Sequence, residues 1–169
     1  MQSADELFDV CDADDQVVGQ ATRGDIHAQS MLHRAVHIWV QNSAGELILH
    51  LRSTTKDQYP SCYTSSASGH LDAGESYLEA AHRELREELS LSGNLEFLTK
   101  LPASPETAFE HTVLYRLVTD AVPTPCPQEI AGIEYLSIKA ISHRLREQPK
   151  LFTPPFRKLW QWFETIIDC

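Results

Sequence analysis

Apolar side chains recur along this chain with two different periods. Over residues 32–40, Val36, Ile38 and Val40 alternate with Ala35, His37 and Trp39, the two-residue repeat of a strand whose neighbouring side chains face opposite ways. Leu47, Leu49 and Leu51 resume the alternation beyond the turn-forming residues 42–45, which predicts a hairpin. A shorter hairpin is expected at 6–22, where 6–11 and 16–22 flank a turn carrying Asp12, Asp14 and Asp15, followed by a brief helix at 23–31. Residues 54–60 are a polar loop, and 62–68 read as one strand of small residues. The period then changes. Ser76 and Glu79 form a capping-box pattern that starts a helix near Tyr77, and Leu78, Ala81, Leu85 and Leu89 share the stripe expected to be buried. Strands follow at 95–101 and 107–118, a proline-rich loop at 121–128, a strand at 133–138 and a helix at 139–147. Pro154 and Pro155 open a final helix reaching 168, with Phe156, Leu159, Trp160, Phe163 and Ile167 on one face. Strands on both sides of a central helix, with another helix at the end, predict a mixed α/β layered fold.

The central helix is crowded with carboxylates. Glu84, Glu87 and Glu88 project together, and like charges three or four residues apart on a helix repel by ~0.2–0.5 kcal/mol per pair. Either the group is a solvated face with Arg83 and Arg86 as ion-pair partners, or it cradles Mg²⁺, which takes carboxylate oxygens, water and substrate phosphates. Spacing favours the cradle. Gly69, Glu75, Arg83, Glu84, Leu85, Glu87, Glu88 and Leu91 satisfy the pattern G-x5-E-x7-R-E-U-x-E-E-x-G-U, where U is aliphatic, with Ser90 in place of its second glycine.

On these residues, Gly69 to Leu91, the chain resembles the Nudix hydrolases. The resemblance implies an α/β/α sandwich with a curved mixed sheet, one domain over residues 1–169, and cleavage of a diphosphate linkage in a nucleoside diphosphate derivative. It implies Mg²⁺, with Mn²⁺ able to substitute, held by Glu84, Glu87, Glu88 and the carbonyl of Gly69. Arg83 would orient the glutamates and Glu75 would brace the loop against the helix. The general base falls to Glu84, Glu87 or a residue outside the box, where Glu110 and Glu129 are the candidates.

A second resemblance spans residues 32–110, which look like the isopentenyl diphosphate isomerases and the hydrolases related to them. Arg52 and Lys56 match diphosphate-contacting positions, and His33, His70 and Glu110 match positions that hold a metal. Ser68 stands where the isomerases carry a reactive cysteine, and a hydroxyl lacks a thiol's accessible ionisation and nucleophilicity. The complete pair Glu84 and Glu87 also departs from the isomerases. Both departures favour a hydrolase, and the intact acids favour an enzyme over a non-catalytic nucleotide-binding module. Substrate identity stays open between nucleoside diphosphate derivatives and small isoprenoid diphosphates, with Trp39, Phe109, His111 and Tyr115 as candidate pocket residues.

Composition narrows the partners. A net charge of −10 without a basic run argues against a general nucleic-acid binder, and a small-molecule diphosphate is the partner that the resemblance implies. Cys11, Cys62, Cys126 and Cys169 are dispersed without a C-x-x-C pair, and residues 1–16 are acidic and polar, unlike a signal peptide. With no run long enough to span a membrane, the expected address is a reducing cytoplasm and free thiols. The aromatic face of the last helix would pack internally or form a homodimer contact.

Overall fold

The computed structural model describes residues 4–167. Strand β3 (His33–Gln41) is its axis: Val36, Ile38 and Val40 are fully buried on one face and Trp39 on the other. Before it come β1 (Leu7–Cys11), β2 (Val17–Thr22) and helix α1 (Arg23–Gln29). After it come β4 (Leu47–Arg52), β5 (Tyr63–Thr64), β6 (Ala67–His70) and helix α2 (Tyr77–Leu89). The chain continues with β7 (Glu96–Leu101), β8 (Glu110–Val118), β9 (Ile130–Leu136), α3 (Ile138–Glu147) and α4 (Pro154–Ile167).

The sheet is mixed. Strand β8 runs parallel to β3 from His33 opposite Glu110 to Gln41 opposite Val118, and β7 pairs antiparallel with β8. The expected β3–β4 hairpin closes only at its turn, where Gln41 faces Leu47. Beyond that point β4 turns away to pair with β9 and β5, while β6 pairs antiparallel with β3 from Ala35 opposite His70 to Ile38 opposite Ala67. The single strand expected at 62–68 is therefore two, because the chain must cross from β4 to β3. At the crossing Ser66 Oγ accepts from Val40 N at 2.7 Å and donates to Ile48 O.

Helix α2 covers one face through Leu85, Leu89, Ala80 and Ala81, and α3 and α4 cover the other. This is the α/β/α sandwich expected. Trp39 lies 5.3–6.1 Å from the rings of Phe156, Trp160 and Phe163, so α4's aromatic face is core packing against the sheet. Burying such a side chain contributes ~1.5–3 kcal/mol. Tyr115 likewise belongs to the core beneath α2. Neither aromatic lines the clefts around β6 and α2.

Several boundaries move. Leu78 is 45% exposed, and the buried side of α2 carries Glu84 and Glu88 in addition to Ala81, Leu85 and Leu89. Residues 105–107 form a single 3₁₀ turn, Ala108 and Phe109 are left-handed at φ 57° and 64°, and β8 begins only at Glu110. Strand β9 starts at Ile130 and ends at Leu136. Ile167 is 48% exposed and leaves the buried stripe of α4. Position 168 of the predicted helix, Cys169 and the first three residues of the acidic N terminus lie outside the described residues. No described helix is long and apolar enough to cross a membrane.

The N-terminal hairpin forms as expected and docks on the rest through buried Asp15. Its carboxylate accepts from Arg34 Nε at 2.6 Å, from Tyr77 OH at 2.9 Å and from Lys100, tying the turn to β3, α2 and β7. Burial opposes its ionisation, but these three donors hold the carboxyl down at about 2, against an ordinary 3.8. A depressed carboxyl stabilises the fold above 3.8 and loses that contribution as the pH falls through about 2. Asp15→Asn keeps a residue that tolerates φ 60°. It should cost roughly 3 kcal/mol in urea denaturation at neutral pH, since it breaks a buried ion pair, and the deficit should shrink towards pH 2.

Candidate active site

Helix α2 begins and ends as its sequence dictates. Ser76 Oγ accepts from Glu79 N and Glu79 Oε2 accepts from Ser76 N, and Ser90 closes the helix left-handed at φ 55°, doing the work of a glycine. The helix crosses β6 so closely that a Cβ on Gly69 would lie 2.0 Å from Glu84 Oε1. Only hydrogen fits there. Arg83 then clamps the corner: Nε and NH2 donate to the two oxygens of Glu75 at 2.9 and 2.7 Å, NH1 to Glu84 Oε1 at 2.6 Å, and NH2 also to His70 O. Glu75 thus braces loop against helix, and Arg83 fixes Glu84.

The three box glutamates sit in different surroundings. Glu84 and Glu88 are 5% and 2% exposed, whereas the Glu87 side chain is 61% exposed and 3.6 Å from Arg83. Burial raises Glu84 to about 7 despite Arg83, and burial beside Glu84 raises Glu88 well above the usual carboxylate range although Ser68 N donates to it at 2.9 Å. A solvated face does not describe them. Two buried acids, Glu84 packed against Gly69 and Glu88 bonded to Ser68 N, line one pocket with Glu87 and form a donor set suited to a hard divalent cation. The pocket they line, with Asp72, Cys126 and Glu129, has a volume of about 500 Å³.

A second cluster lies on the other side of His70. Ligand atoms of His27, His33 and His70 fall within 4.8 Å of one another, and Glu110 Oε1 is 3.2 Å from His70 Nε2 and 4.0 Å from His33 Nε2. His33 Nδ1 lies 2.9 Å from Met31 O, which assigns it the N–H and turns a lone pair on Nε2 inward. The Nε2 atoms of His27 and His33 are buried without a hydrogen-bond partner. Burial and His70 push His33 down to about 4, and burial lifts Glu110 to about 7. Two orphaned imidazole nitrogens beside a carboxylate suit a transition metal. His70 itself is occupied, because Arg23 NH1 can only donate to its Nδ1 at 3.2 Å, which leaves its Nε2–H for Glu110.

Cations border both clusters. Arg52 donates through Nε and NH2 to Gln58 O, and Lys56, on the loop 54–62, pairs with Glu129 beside the start of β9. Arg23, Arg52 and Lys56 line one cavity together with His70, and Glu129 lines the glutamate pocket.

Residues 31–163 match the family model of the NUDIX domain. The chain belongs to the Nudix family. It is 46% identical over 152 residues to an uncharacterized Nudix hydrolase of Streptomyces coelicolor, covering 87% of this chain and 83% of that one. It is 32% identical over 168 residues to an isopentenyl-diphosphate Delta-isomerase of Serratia proteamaculans, covering 96% and 90%. Among solved structures, DR0079 from Deinococcus radiodurans superposes with a TM-score of 0.75 at 31% identity over 85% of this chain and 90% of that one.

Around the Nudix box, the structure brings together Gly69, Glu75, Arg83, Glu84, Glu87 and Glu88, with Arg52, Lys56, His33, His70 and Glu110 beside them. It separates the candidate pocket residues. His111 is held between Ala103 N and Asp12 O, and Phe109 lines a different cleft with His33 and Tyr59. Sequence reading missed His27 and Arg23, which α1 delivers from outside the matched span. Their only signal was position on a short helix preceding His33. The described cysteines, Cys11, Cys62 and Cys126, are free, and burial raises the Cys11 thiol to about 11. Gly69→Ala should lower stability in urea by about 1–3 kcal/mol through overpacking against Glu84; an unmoved midpoint would contradict the close approach.

Proposed function

We propose that this Nudix protein is a Mg²⁺-dependent hydrolase that cleaves the diphosphate linkage of a nucleoside diphosphate derivative or a related small organic diphosphate by attack of water on phosphorus. The observation that carries this reading is the pair of buried acids, Glu84 and Glu88, lining one pocket with the exposed Glu87, with Glu84 packed against Gly69. These residues and the Gly69 carbonyl would hold the ion. Bound there, Mg²⁺ would neutralise phosphate charge and lower the ionisation cost of the attacking water.

The chain's own groups do the rest. Arg83, already bonded to both Glu75 oxygens, keeps the Glu84 carboxylate from turning away. Arg52 and Lys56 supply N–H donors to phosphate oxygens, a guanidinium fork and an ammonium matched to that task. Substrate engaging Lys56 would draw it from Glu129 and leave that carboxylate facing the glutamate pocket. Glu129 therefore joins Glu84 and Glu87 as a base candidate, while Glu110 faces the histidines.

One observation favours a second reading. His33, His70 and Glu110, the positions that match the isomerases' metal ligands, lie together with His27 beside them, and interconversion of isopentenyl and dimethylallyl diphosphate would decide for it. Ser68 in place of a thiol weighs against that chemistry.

Nucleotide sugars, dinucleoside polyphosphates, nucleoside triphosphates and isoprenoid diphosphates, assayed for phosphate-bearing products with Mg²⁺ and Mn²⁺, test the proposal directly. Glu87→Gln, at an exposed position, should leave the thermal midpoint unchanged and lower kcat on the preferred substrate by roughly 100-fold or more. Full activity in that variant, or hydrolysis unaffected by EDTA, would refute the reading.

A further inference from the structure

Besides the cations Arg23, Arg52 and Lys56 and the acid Glu110, the cavity between β3, β6 and the loop 54–62 has a neutral lining that the hydrolytic reading leaves unused. His37 reaches it from β3, and Thr64 and Ser68 reach it from β5 and β6.

The hydrogen bonds behind His37 fix its tautomer. Trp39 Nε1, which can only donate, gives its proton to Ser65 Oγ at 3.0 Å, and His37 Nδ1 lies 2.8 Å from the same oxygen. Ser65 is fully buried, so its own hydroxyl proton needs an acceptor, and His37 Nδ1 is the one within reach. The proton of the imidazole therefore sits on Nε2. Nothing bonds Nε2 among the described residues, although His37 is 4% exposed and lines the cavity. Burial, with His50 and Arg52 nearby, pushes this histidine down to about 3, so it is a neutral donor at working pH.

A second donor stands beside it. Thr153 Oγ1 accepts from Phe156 N and donates to Thr64 Oγ1 at 3.0 Å, which leaves the Thr64 hydroxyl proton unclaimed among the described residues. Ser68 bonds Glu88 through its backbone N and also lines the cavity. The whole cavity, its charged residues included, has a volume of about 50 Å³. A benzene ring needs a cavity on the order of 150 Å³, so a short chain or the edge of a larger group enters, and an aromatic base does not.

We propose that the His37, Thr64 and Ser68 lining of the cavity receives the group attached to the substrate's diphosphate, and that the group is short and carries an uncharged acceptor oxygen, a hydroxyl or a carbonyl, that takes the N–H of His37. The inference rests on the diphosphate reading of the neighbouring cations. It excludes a bare hydrocarbon substituent, which would leave buried donors unpaired. Sites built to hydrogen-bond a substrate oxygen reject analogues lacking it.

The test compares 3-hydroxypropyl and n-propyl methylenebisphosphonate, which resist hydrolysis, by calorimetry on the full chain with Mg²⁺. The wild type should bind the hydroxyl compound at least about 10-fold more tightly. His37→Phe, which keeps an aromatic ring and removes the donor, should bring the ratio to about one. Equal affinities, a preference for the propyl compound, no binding of either, or a preference untouched by His37→Phe would overturn the inference. The wild-type comparison stands alone if the variant does not fold. Hydrolysis of the matching diphosphates separates the two claims: discrimination in binding without any cleavage would sink the hydrolase reading and leave this one intact.

Discussion

Between the diverging strands β3 and β4, the hydroxyl of Ser66 takes the amide of Val40 and gives its own proton to the carbonyl of Ile48. Pulling two paired strands apart inside a core strips backbone groups of their partners, and each one left bare costs about 1–3 kcal/mol. One short side chain with a donor and an acceptor repairs both sides of the split. An apolar residue of the same size would repair neither. Because the split is stable, β6 can run along β3 and carry Ser68, Gly69 and His70 into the middle of the molecule, where glutamates, histidines and arginines converge on them.

That convergence makes the centre of the protein a place of unfavourable burial held by specific partners. Glu84 and Glu88 occupy positions on α2 that an ordinary core helix would fill with aliphatic residues. Arg83 offsets one of them and the amide of Ser68 the other, but neither acid is neutralised fully, which is why both hold protons more tightly than usual. His27 and His33 repeat the theme with nitrogens that find no protein donor. Departures of this kind from good core practice concentrate where a protein handles ligands, and here they adjoin one another across His70.

The box helix was legible in the sequence because its information is local. Cap, stripe and carboxylate spacing all lie within Gly69 to Leu91, and the left-handed Ser90 could be anticipated from its place in the pattern. What depended on distant partners was not legible. The alternation at 32–51 predicts two strands but cannot say that they part after one pair, since that is decided by β6, β8 and β9. The stripe pattern puts Leu78 on the buried face and leaves Glu84 and Glu88 beside it, because hydrophobicity alone does not anticipate a helix turning two acids inward. His27 carried no motif. Only the docking of α1 beside β3 gives it neighbours.

The first hairpin holds more than its own turn. Leu7 O accepts from Ala73 N at 3.0 Å and Asp9 Oδ2 from Gly74 N at 2.9 Å, and Gly74 is left-handed at φ 79°. The loop that opens the Nudix box is thus fastened from a segment lying ahead of the shared family region. A trimmed version starting at residue 31 would keep every box residue and lose the struts beneath them. Two of the side chains lining the central clefts, Arg23 and His27, would go with it. Swapping this leader for a relative's would accordingly alter the mouth of the cleft as well as its scaffold, so the portion that gives the family its common signature is narrower than the portion that gives this member its individual behaviour.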